Sequence, residues 1–350
     1  VFRALLILWV ILIRISGSSF HFWEEGSVTW SVLVSLDQLF RFSVPLFVFI
    51  SGYTLYSKYR DNFMFLKFFL KRITKVMPWY VVWSLIIYMY INFTVLPGYV
   101  NYPIWKLIFL GKVDYHLYFV SMIFQLYLLF PLLLWIFKKL KIFFLIVLFL
   151  LEAALYYVFS LDGQGQIQLP WLFYEQQQYL FFGTWIFYFV LGFAIAEKQQ
   201  SESKLGLRKL SLSKNQIIFA LLTLVALIYT IHDSLFLISK TADTNVAPRS
   251  TRILLLFYST SFIVTALVCS NLIDKMNSHL LKPLLYFAKI SFLVYLIHSL
   301  VIRVLGNFIL PNTIPNLVIF TILVFFLSII LAQISILVAS KTPLKQIFQP

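Results

Sequence analysis

Cysteine and charged residues are both scarce in this chain, and each shortage excludes a class of protein. The one cysteine, Cys269, lies in an apolar run. A single cysteine supports neither an intramolecular disulfide framework nor a thiolate metal cluster, so we expect no metal site. Charged residues make up 12% of the chain and hydrophobic residues 61%, and the mean hydropathy is +0.90. This composition is too apolar for a water-soluble globule and predicts a polytopic membrane protein.

Apolar runs of about 20 residues, each long enough to cross a bilayer, recur along the whole chain. They predict an all-α membrane helix bundle of about ten transmembrane helices. No loop is long enough to hold a soluble domain, so residues 1–350 are predicted to form a single transmembrane domain. The predicted spans centre near residues 1–17, 36–56, 78–96, 117–137, 142–160, 180–197, 216–232, 253–273, 286–305 and 316–339.

The basic residues are distributed unevenly between the predicted loops. Nineteen of the 28 lie in alternate loops and the C-terminal tail, which by the positive-inside rule places both termini in the cytoplasm. The net charge of +15 is therefore assigned to orientation and anionic lipid, and no nucleic-acid partner is expected. We expect a multi-pass protein of the cell (cytoplasmic) membrane. The first span begins at Val1 and is short, which indicates a retained helix lacking a few N-terminal residues.

Two arginines stand in the first apolar stretch, at Arg3 and Arg14. Eleven residues make about three helical turns, so both side chains lie on one helix face roughly 16 Å apart. A charge in a membrane helix is usually tolerated only where it faces the bundle interior, a water-filled cavity or a partner. The pair therefore indicates a polar path.

The second and third predicted spans carry an unusual combination of residues in the segments RFSVPLFVFISGY and FLKFFLKRITKVMPWYVVW. Pro45 kinks or breaks a helix, and Ser51-Gly52 lets another group approach the backbone. Arg72 then lies where a cytoplasmic anion could meet it. A kinked helix followed by ordinary positive-inside charge explains each piece separately.

In combination these segments resemble the acyltransferase 3 family of integral membrane proteins, and the resemblance runs along the whole chain. RALLILWVILI is similar to the first helix of the family, which carries an arginine followed eleven residues later by a histidine. The other segments that carry the resemblance are RFSVPLFVFISGY, FFLKRITKVMPWYVVWS, His116 to Phe119, Phe189 to Phe193, and Ile290 to His298. The short chain is most similar to members encoded with exopolysaccharide or intercellular-adhesin synthesis.

The resemblance implies an O-acyltransferase that moves an acyl group, commonly acetyl, from cytoplasmic acyl-CoA to a hydroxyl of an envelope glycan. The implied partners are the bilayer, acyl-CoA, an extracytoplasmic polysaccharide and its synthesis machinery. Arg41 and Glu25 are the candidate substrate contacts. The implied acyl-CoA-binding residues, all near predicted cytoplasmic helix ends, are Arg3, Ser51, Gly52, Tyr53 and Arg72.

One position departs from the family in a way that matters for catalysis. Acyl transfer needs a general base, and the first-helix histidine of the family is Arg14 here. Arginine has no acceptor lone pair, so it can stabilise an anion but cannot take the proton. Either the change inactivates the protein, or its role needs no acyl transfer, or the base has moved to one of His21, His116, His298 or Glu25.

Among the relocated bases, His116 is the one that the sequence favours, since it opens the fourth span at the outer face. His298, with Tyr295 three residues before it, is a further catalytic candidate or a buried hydrogen-bonding group. Glu152, inside the fifth span, is either a functional carboxyl or a neutral buried one. The alternative function is a non-catalytic polysaccharide export or flippase component, in which Arg3, Arg14 and Arg41 guide substrate.

Overall fold

The computed structural model describes residues 2–95, 103–163, 177–204, 213–241, 252–268 and 278–342, and in these ranges the chain is helical with no β-strand. This confirms the predicted all-α class. The helices are α1 (Phe2–Ser19), α2 (Val28–Phe40), α3 (Ser43–Tyr59), α4 (Phe65–Tyr90), α5 (Ile104–Phe109), α6 (Tyr118–Gly163), α7 (Gln177–Leu180), α8 (Ile186–Lys204), α9 (Ser213–Thr241), α10 (Ile253–Val268), α11 (Ser278–Gly306) and α12 (Ile314–Ser340).

Seven helical segments in the described part of the chain are long and apolar enough to cross a membrane. They are Ala4–Phe22, Val28–Tyr59, Phe65–Thr94, Tyr118–Leu161, Ile217–Ser239, Lys282–Gly306 and Ile314–Ser340. A shorter apolar helix, Ile253–Val268, covers much of the eighth predicted span. The chain is thus a helical membrane bundle, while the number ten and the cytoplasmic position of the termini stay predictions.

The long helix α6 contains two of the predicted spans, 117–137 and 142–160. Its 46 residues would extend for about 69 Å if straight, which is more than twice the thickness of a bilayer core. The backbone leaves the helical region at Lys141, where φ is 48° and ψ is −122°. This break falls in the basic connection that the sequence places between the two spans.

The described chain divides into two compact units. The first comprises Val1–Trp30, Met64–Phe124 and Ser278–Pro350. Within it α11 packs against α1, α4 and α12. Both helices bury large aliphatic side chains completely: Leu6, Ile7 and Ile11 of α1, and Val294, Leu296 and Ile297 of α11. The apolar face of α11 thereby forms the core of the unit.

The second unit comprises Ser31–Phe63 and Gln125–Asn277. Its closest helix packing is between α3 and α8, which cross at two glycines. A Cβ atom on Gly52 would overlap the carbonyl of Phe189, and one on Gly192 would overlap the backbone of Phe49 and Tyr53. The absence of both side chains lets the two helix backbones touch, as is usual for small residues between membrane helices.

Substitution of alanine for Gly52 should therefore destabilise the protein. The added methyl group has no space, so α3 and α8 must separate, at a cost of roughly 1–3 kcal/mol or more. Gly306→Ala is the matched control, because a Cβ at that helix end meets no atom within 4 Å. The measurement is the thermal unfolding midpoint in detergent. Equal midpoints for the two variants would show that α3 and α8 do not meet at Gly52.

Candidate active site

A tight loop between α5 and α6 places three chemically active residues next to one another. The loop turns at Gly111, where φ is +64° and a Cβ atom would lie 2.7 Å from both the carbonyl oxygen of Leu117 and the Cα of Tyr118. Only glycine suits this position, since it accepts positive φ and needs no side-chain space. The turn brings Asp114 and His116 into the interior of the first unit, whereas Tyr115 between them is 41% exposed.

Asp114 is the most heavily bonded side chain of this loop, and its carboxylate is fully buried. Its Oδ1 accepts hydrogen bonds from Nη2 of Arg303 at 2.7 Å and from the backbone N–H of Tyr115 at 2.8 Å. Its Oδ2 accepts one from the hydroxyl of Ser299. Burial by itself would raise the pKa of Asp114, but His116, Arg303 and Ser299 outweigh it and lower that pKa to about 2.

His116 lies two residues further on, with 1% of its surface exposed. Its backbone carbonyl accepts a hydrogen bond from the hydroxyl of Tyr295, and its Nδ1 is 3.7 Å from Oδ2 of Asp114. Within the described residues neither ring nitrogen has a hydrogen-bond partner. Burial lowers the pKa of His116 to about 4; Arg14 and Arg303 act in the same direction, and Asp114 and the backbone of Leu296 oppose them. The imidazole is therefore neutral at physiological pH.

His298 of α11 is fully buried beside His116, and the two ring centroids are 4.9 Å apart. Its Nδ1 lies 2.6 Å from the carbonyl oxygen of Tyr295. Because a carbonyl oxygen can only accept, Nδ1 must carry the proton, which leaves a lone pair on Nε2. No described residue donates to this Nε2. His298 is thus held in the tautomer that a general base requires.

Arg14 of α1 completes the group. Its guanidinium carbon lies 4.2 Å from the centroid of the Tyr115 ring, and that of Arg303 lies 5.6 Å from the same centroid. Arg303 is neutralised by Asp114, whereas Arg14 forms no ion pair with any described residue. Arg14 also acts electrostatically on both histidines. The site therefore combines two buried imidazoles with one uncompensated, partly exposed cation.

The three predicted catalytic residues Arg14, His116 and His298 are thus brought together in one unit. Asp114, Ser299 and Arg303, which fix the geometry of that unit, were not among the predicted site residues. The available signals were weak: Asp114 is two residues from His116, and Ser299 and Arg303 are four apart on one face of the helix that carries His298. Nothing in the sequence says that these two segments meet.

The predicted acyl-CoA-binding residues are distributed over both units. The side chain of Arg3 lies outside the described part of the chain. Arg72, also in the first unit, lies 5.7 Å from the Phe68 ring. The other three lie in the second unit. The hydroxyl of Ser51 donates to the carbonyl of Phe47, and that of Tyr53 donates to Gln199. Gly52 is packed against the backbone of α8 in the α3–α8 crossing. A role for this set in binding the donor stays a prediction.

The remaining candidates have separate surroundings. Glu25 and His21 are exposed near the C-terminal end of α1. Arg41 is buried against Asp37 in the second unit. Glu152 is fully buried and accepts hydrogen bonds from the N–H of Phe187 and the hydroxyl of Tyr156, with no cation bonded to it among the described residues. For Glu152 the environment therefore favours the neutral, hydrogen-bonded carboxyl over a charged one.

The fold and the site together define a helical membrane protein with a buried histidine pair beside a free cation. The family model for the acyltransferase domain of the acyltransferase 3 type matches residues 1–333. The chain therefore belongs to this family of membrane acyltransferases, as the sequence motifs predicted. No curated protein and no solved structure matches it. The exopolysaccharide or adhesin-type subgroup stays a prediction.

Acidification should destabilise the folded protein through His116. An unfolded histidine titrates near 6.5 and the folded one near 4, so between these values the unfolded state binds more protons. The contribution of His116 to the free energy of unfolding is fully present above pH 6.5. It declines as the pH falls towards 4, by up to about 1.4 kcal/mol per pH unit. Asp114 adds a loss in the same direction below about pH 4, as its own pKa is approached.

The measurement is the unfolding midpoint of the native protein and of His116→Gln between pH 7 and pH 5. The glutamine variant should lose part of the pH dependence, whatever its stability at pH 7. His232→Gln, which removes an exposed histidine, should keep the full dependence. An unchanged pH profile in His116→Gln would mean that His116 is not held in a neutral, buried state.

Proposed function

We propose that the protein is an O-acyltransferase that moves an acetyl or similar acyl group from cytoplasmic acyl-CoA to a hydroxyl of an envelope glycan. The observation that carries the proposal is Nε2 of His298, which has no hydrogen-bond partner among the described residues and belongs to the same unit as the cation of Arg14. Family membership supports transfer in general. The choice of acyl-CoA, of an acetyl group and of a glycan acceptor follows from the sequence resemblance.

In this proposal His298, rather than His116, is the general base. The sequence favours His116, but its ring has no hydrogen bond among the described residues that would fix its tautomer. The tautomer of His298 is fixed by the carbonyl of Tyr295, and its Nε2 lone pair has no partner in the described part of the chain. The neutral His116 ring packs against His298 and helps to exclude water from it.

Arg14 supplies the positive charge that the reaction needs. As the acceptor hydroxyl attacks the thioester carbonyl carbon, its proton passes to Nε2 of His298 and negative charge develops on the carbonyl oxygen. A guanidinium with free N–H groups stabilises this oxyanion in a site of low dielectric constant. Collapse of the tetrahedral intermediate breaks the carbon–sulfur bond, and the departing CoA thiolate takes the proton back from the His298 imidazolium. Arg14 thus takes the electrostatic role while the base lies on α11.

The donor is proposed to approach from the cytoplasmic side, where Arg3, Arg72 and the segment Ser51 to Tyr53 are the candidate contacts for its phosphates. The acceptor is proposed to be an extracytoplasmic polysaccharide, with its synthesis machinery as a partner. The alternative of a non-catalytic export component has no observation of its own in its favour. A relocated base removes the main reason for it, which was the loss of the first-helix histidine.

His298→Asn should lower the rate of acetyl transfer by roughly 10²- to 10⁴-fold, the usual contribution of a general base. Asparagine can still donate to the carbonyl of Tyr295, so it keeps the structural hydrogen bond while removing the basic nitrogen. The measurement is release of CoA thiol and of labelled acetate or acetylated product from acetyl-CoA by the purified protein in lipid nanodiscs.

His116→Asn and the exposed His232→Asn serve as matched controls for the same assay. We expect His232→Asn to act like the native protein and His116→Asn to keep more activity than His298→Asn. If His116→Asn abolishes turnover and His298→Asn does not, His116 is the base. A native protein that turns over no acyl-CoA, with or without glycan, contradicts the enzyme proposal itself.

Arg14→Gln should reduce the rate of transfer by roughly 10²- to 10³-fold, as expected for loss of one oxyanion-stabilising group. The amide keeps most of the volume but removes the charge, so the unfolding midpoint should change little. The effect should appear in kcat and not in the KM for acetyl-CoA. A rise in KM alone would instead place Arg14 in donor binding.

A further inference from the structure

The second unit contains a polar cluster at a break in a membrane helix. Helices α2 and α3 belong to one apolar stretch, Val28–Tyr59, but the helix is interrupted at Arg41 and Phe42. Two backbone carbonyls at the break accept hydrogen bonds from side-chain hydroxyls. The hydroxyl of Tyr258 donates to the carbonyl of Leu39 at 2.6 Å, and that of Ser43 donates to the carbonyl of Phe40. The ring of Phe42 stacks on Phe262. The break is therefore built into the packing.

Six side chains converge beside this break, and we name them the break cluster. They come from the end of α2 and the residue after it, from α9, and from the residue that precedes α10. They are Asp37, Gln38, Arg41, Asp233, Ser234 and Arg252. Oδ2 of Asp37 accepts hydrogen bonds from Nε of Arg41 at 2.8 Å and from the Gln38 amide at 2.9 Å. The oxygen of that amide accepts from Nη2 of Arg252 at 2.7 Å.

The other bonds of Arg252 tie α9 to the cluster. Its Nη1 donates to Asp233 at 2.8 Å and its Nη2 donates to the hydroxyl of Ser234 at 2.6 Å. Burial lowers the pKa of Arg252 to about 10, and Asp233 opposes that effect, so the guanidinium remains charged at neutral pH. With two arginines and two aspartates, the break cluster is electrically neutral.

Two polar atoms of the break cluster are buried without a hydrogen-bond partner in the described part of the chain. They are Oδ1 of Asp37 and Nε of Arg252, on residues that are 2% and 7% exposed. The imbalance at Asp37 is pronounced, because Oδ2 takes three donor atoms from Arg41 and Gln38 while Oδ1 takes none. Buried polar atoms left in this state cost stability, which favours an occupant that can pair with them.

The two atoms define the chemistry of that occupant. A carboxylate oxygen needs a donor and a guanidinium N–H needs an acceptor, and a hydroxyl group supplies both. A phosphate or carboxylate ligand would face the oxygen of Asp37 with a like charge, and a cation would face Arg252. The balanced charge of the break cluster therefore favours an uncharged ligand with several hydroxyl groups.

We propose that the break cluster is a binding site for the hydroxyl groups of an uncharged carbohydrate. The Gln38 amide, bonded to both charged residues, links the Asp37 carboxylate to the Arg252 guanidinium. The inference does not rest on the proposed acyl transfer, because a protein that only exports a glycan would also need to bind it.

The test is direct binding by the full-length protein in lipid nanodiscs, with two uncharged probes, maltotetraose and tetra-N-acetylchitotetraose. Isothermal titration calorimetry gives the affinity, and amide hydrogen exchange locates the site. We expect at least one probe to bind and to slow exchange in peptides that cover residues 36–44 and 252–260. Asp37→Asn and Arg252→Lys should each weaken that binding by roughly 10-fold or more, as expected for loss of a buried, charge-assisted hydrogen bond.

Asp61→Asn is the matched control, because Asp61 pairs with Arg60 at the surface, where its side chain is 75% exposed. This variant should bind the probes like the native protein. Absence of binding by the native protein, or binding without protection at the break, would overturn the proposal and leave buried water as the occupant. Unchanged affinity in a folded Arg252→Lys variant would also overturn the proposal. Tighter binding of a uronic-acid tetrasaccharide than of both neutral probes would overturn it as well. If the native protein binds a probe at the break but transfers no acetyl group, the proposed acyl transfer is wrong and this inference still holds.

Discussion

The first unit depends on the burial of one carboxylate, that of Asp114. A charge in the interior is tolerated only if its oxygens are paired, and here Arg303, Ser299 and the N–H of Tyr115 pair with it. These bonds join the loop before α6 to α11. With the loop fixed, the hydroxyl of Tyr295 reaches the carbonyl of His116, and the two histidine rings come into contact. The positions of the two histidine rings thus depend on that burial.

Arg14, in place of the first-helix histidine of the family, changes the distribution of charge in such a site. A histidine there would combine base and transient cation in one group. With Arg14, the positive charge is permanent, and it helps to keep the neighbouring His116 neutral by repulsion, in addition to the effect of burial. A neutral imidazole can accept a proton, whereas an imidazolium cannot. The change that raises doubt about activity therefore also favours a neutral His116 ring against the proposed base, His298.

Structural features that depend on local sequence pattern could be predicted from the sequence. Apolar length predicted the helices, and the basic connection at Lys138 to Lys141 separated two spans where the backbone of α6 breaks. The family followed from motifs in order along the chain. Contacts between distant segments could not be predicted. His116 and His298 are remote in sequence, and no local pattern predicts that their rings meet. Gly52 suggested room for a ligand, but the backbone of Phe189 fills that room.

The most direct test of the proposed mechanism is a cryo-electron microscopy structure with an acetonyl analogue of CoA, in which a methylene group separates the sulfur from the ketone and prevents turnover. The mechanism predicts that the ketone oxygen lies within hydrogen-bond distance of the Arg14 guanidinium and that the carbonyl carbon faces Nε2 of His298. An acyl group bound away from both side chains, or a His298 ring with Nε2 hydrogen-bonded to another protein residue, would contradict it.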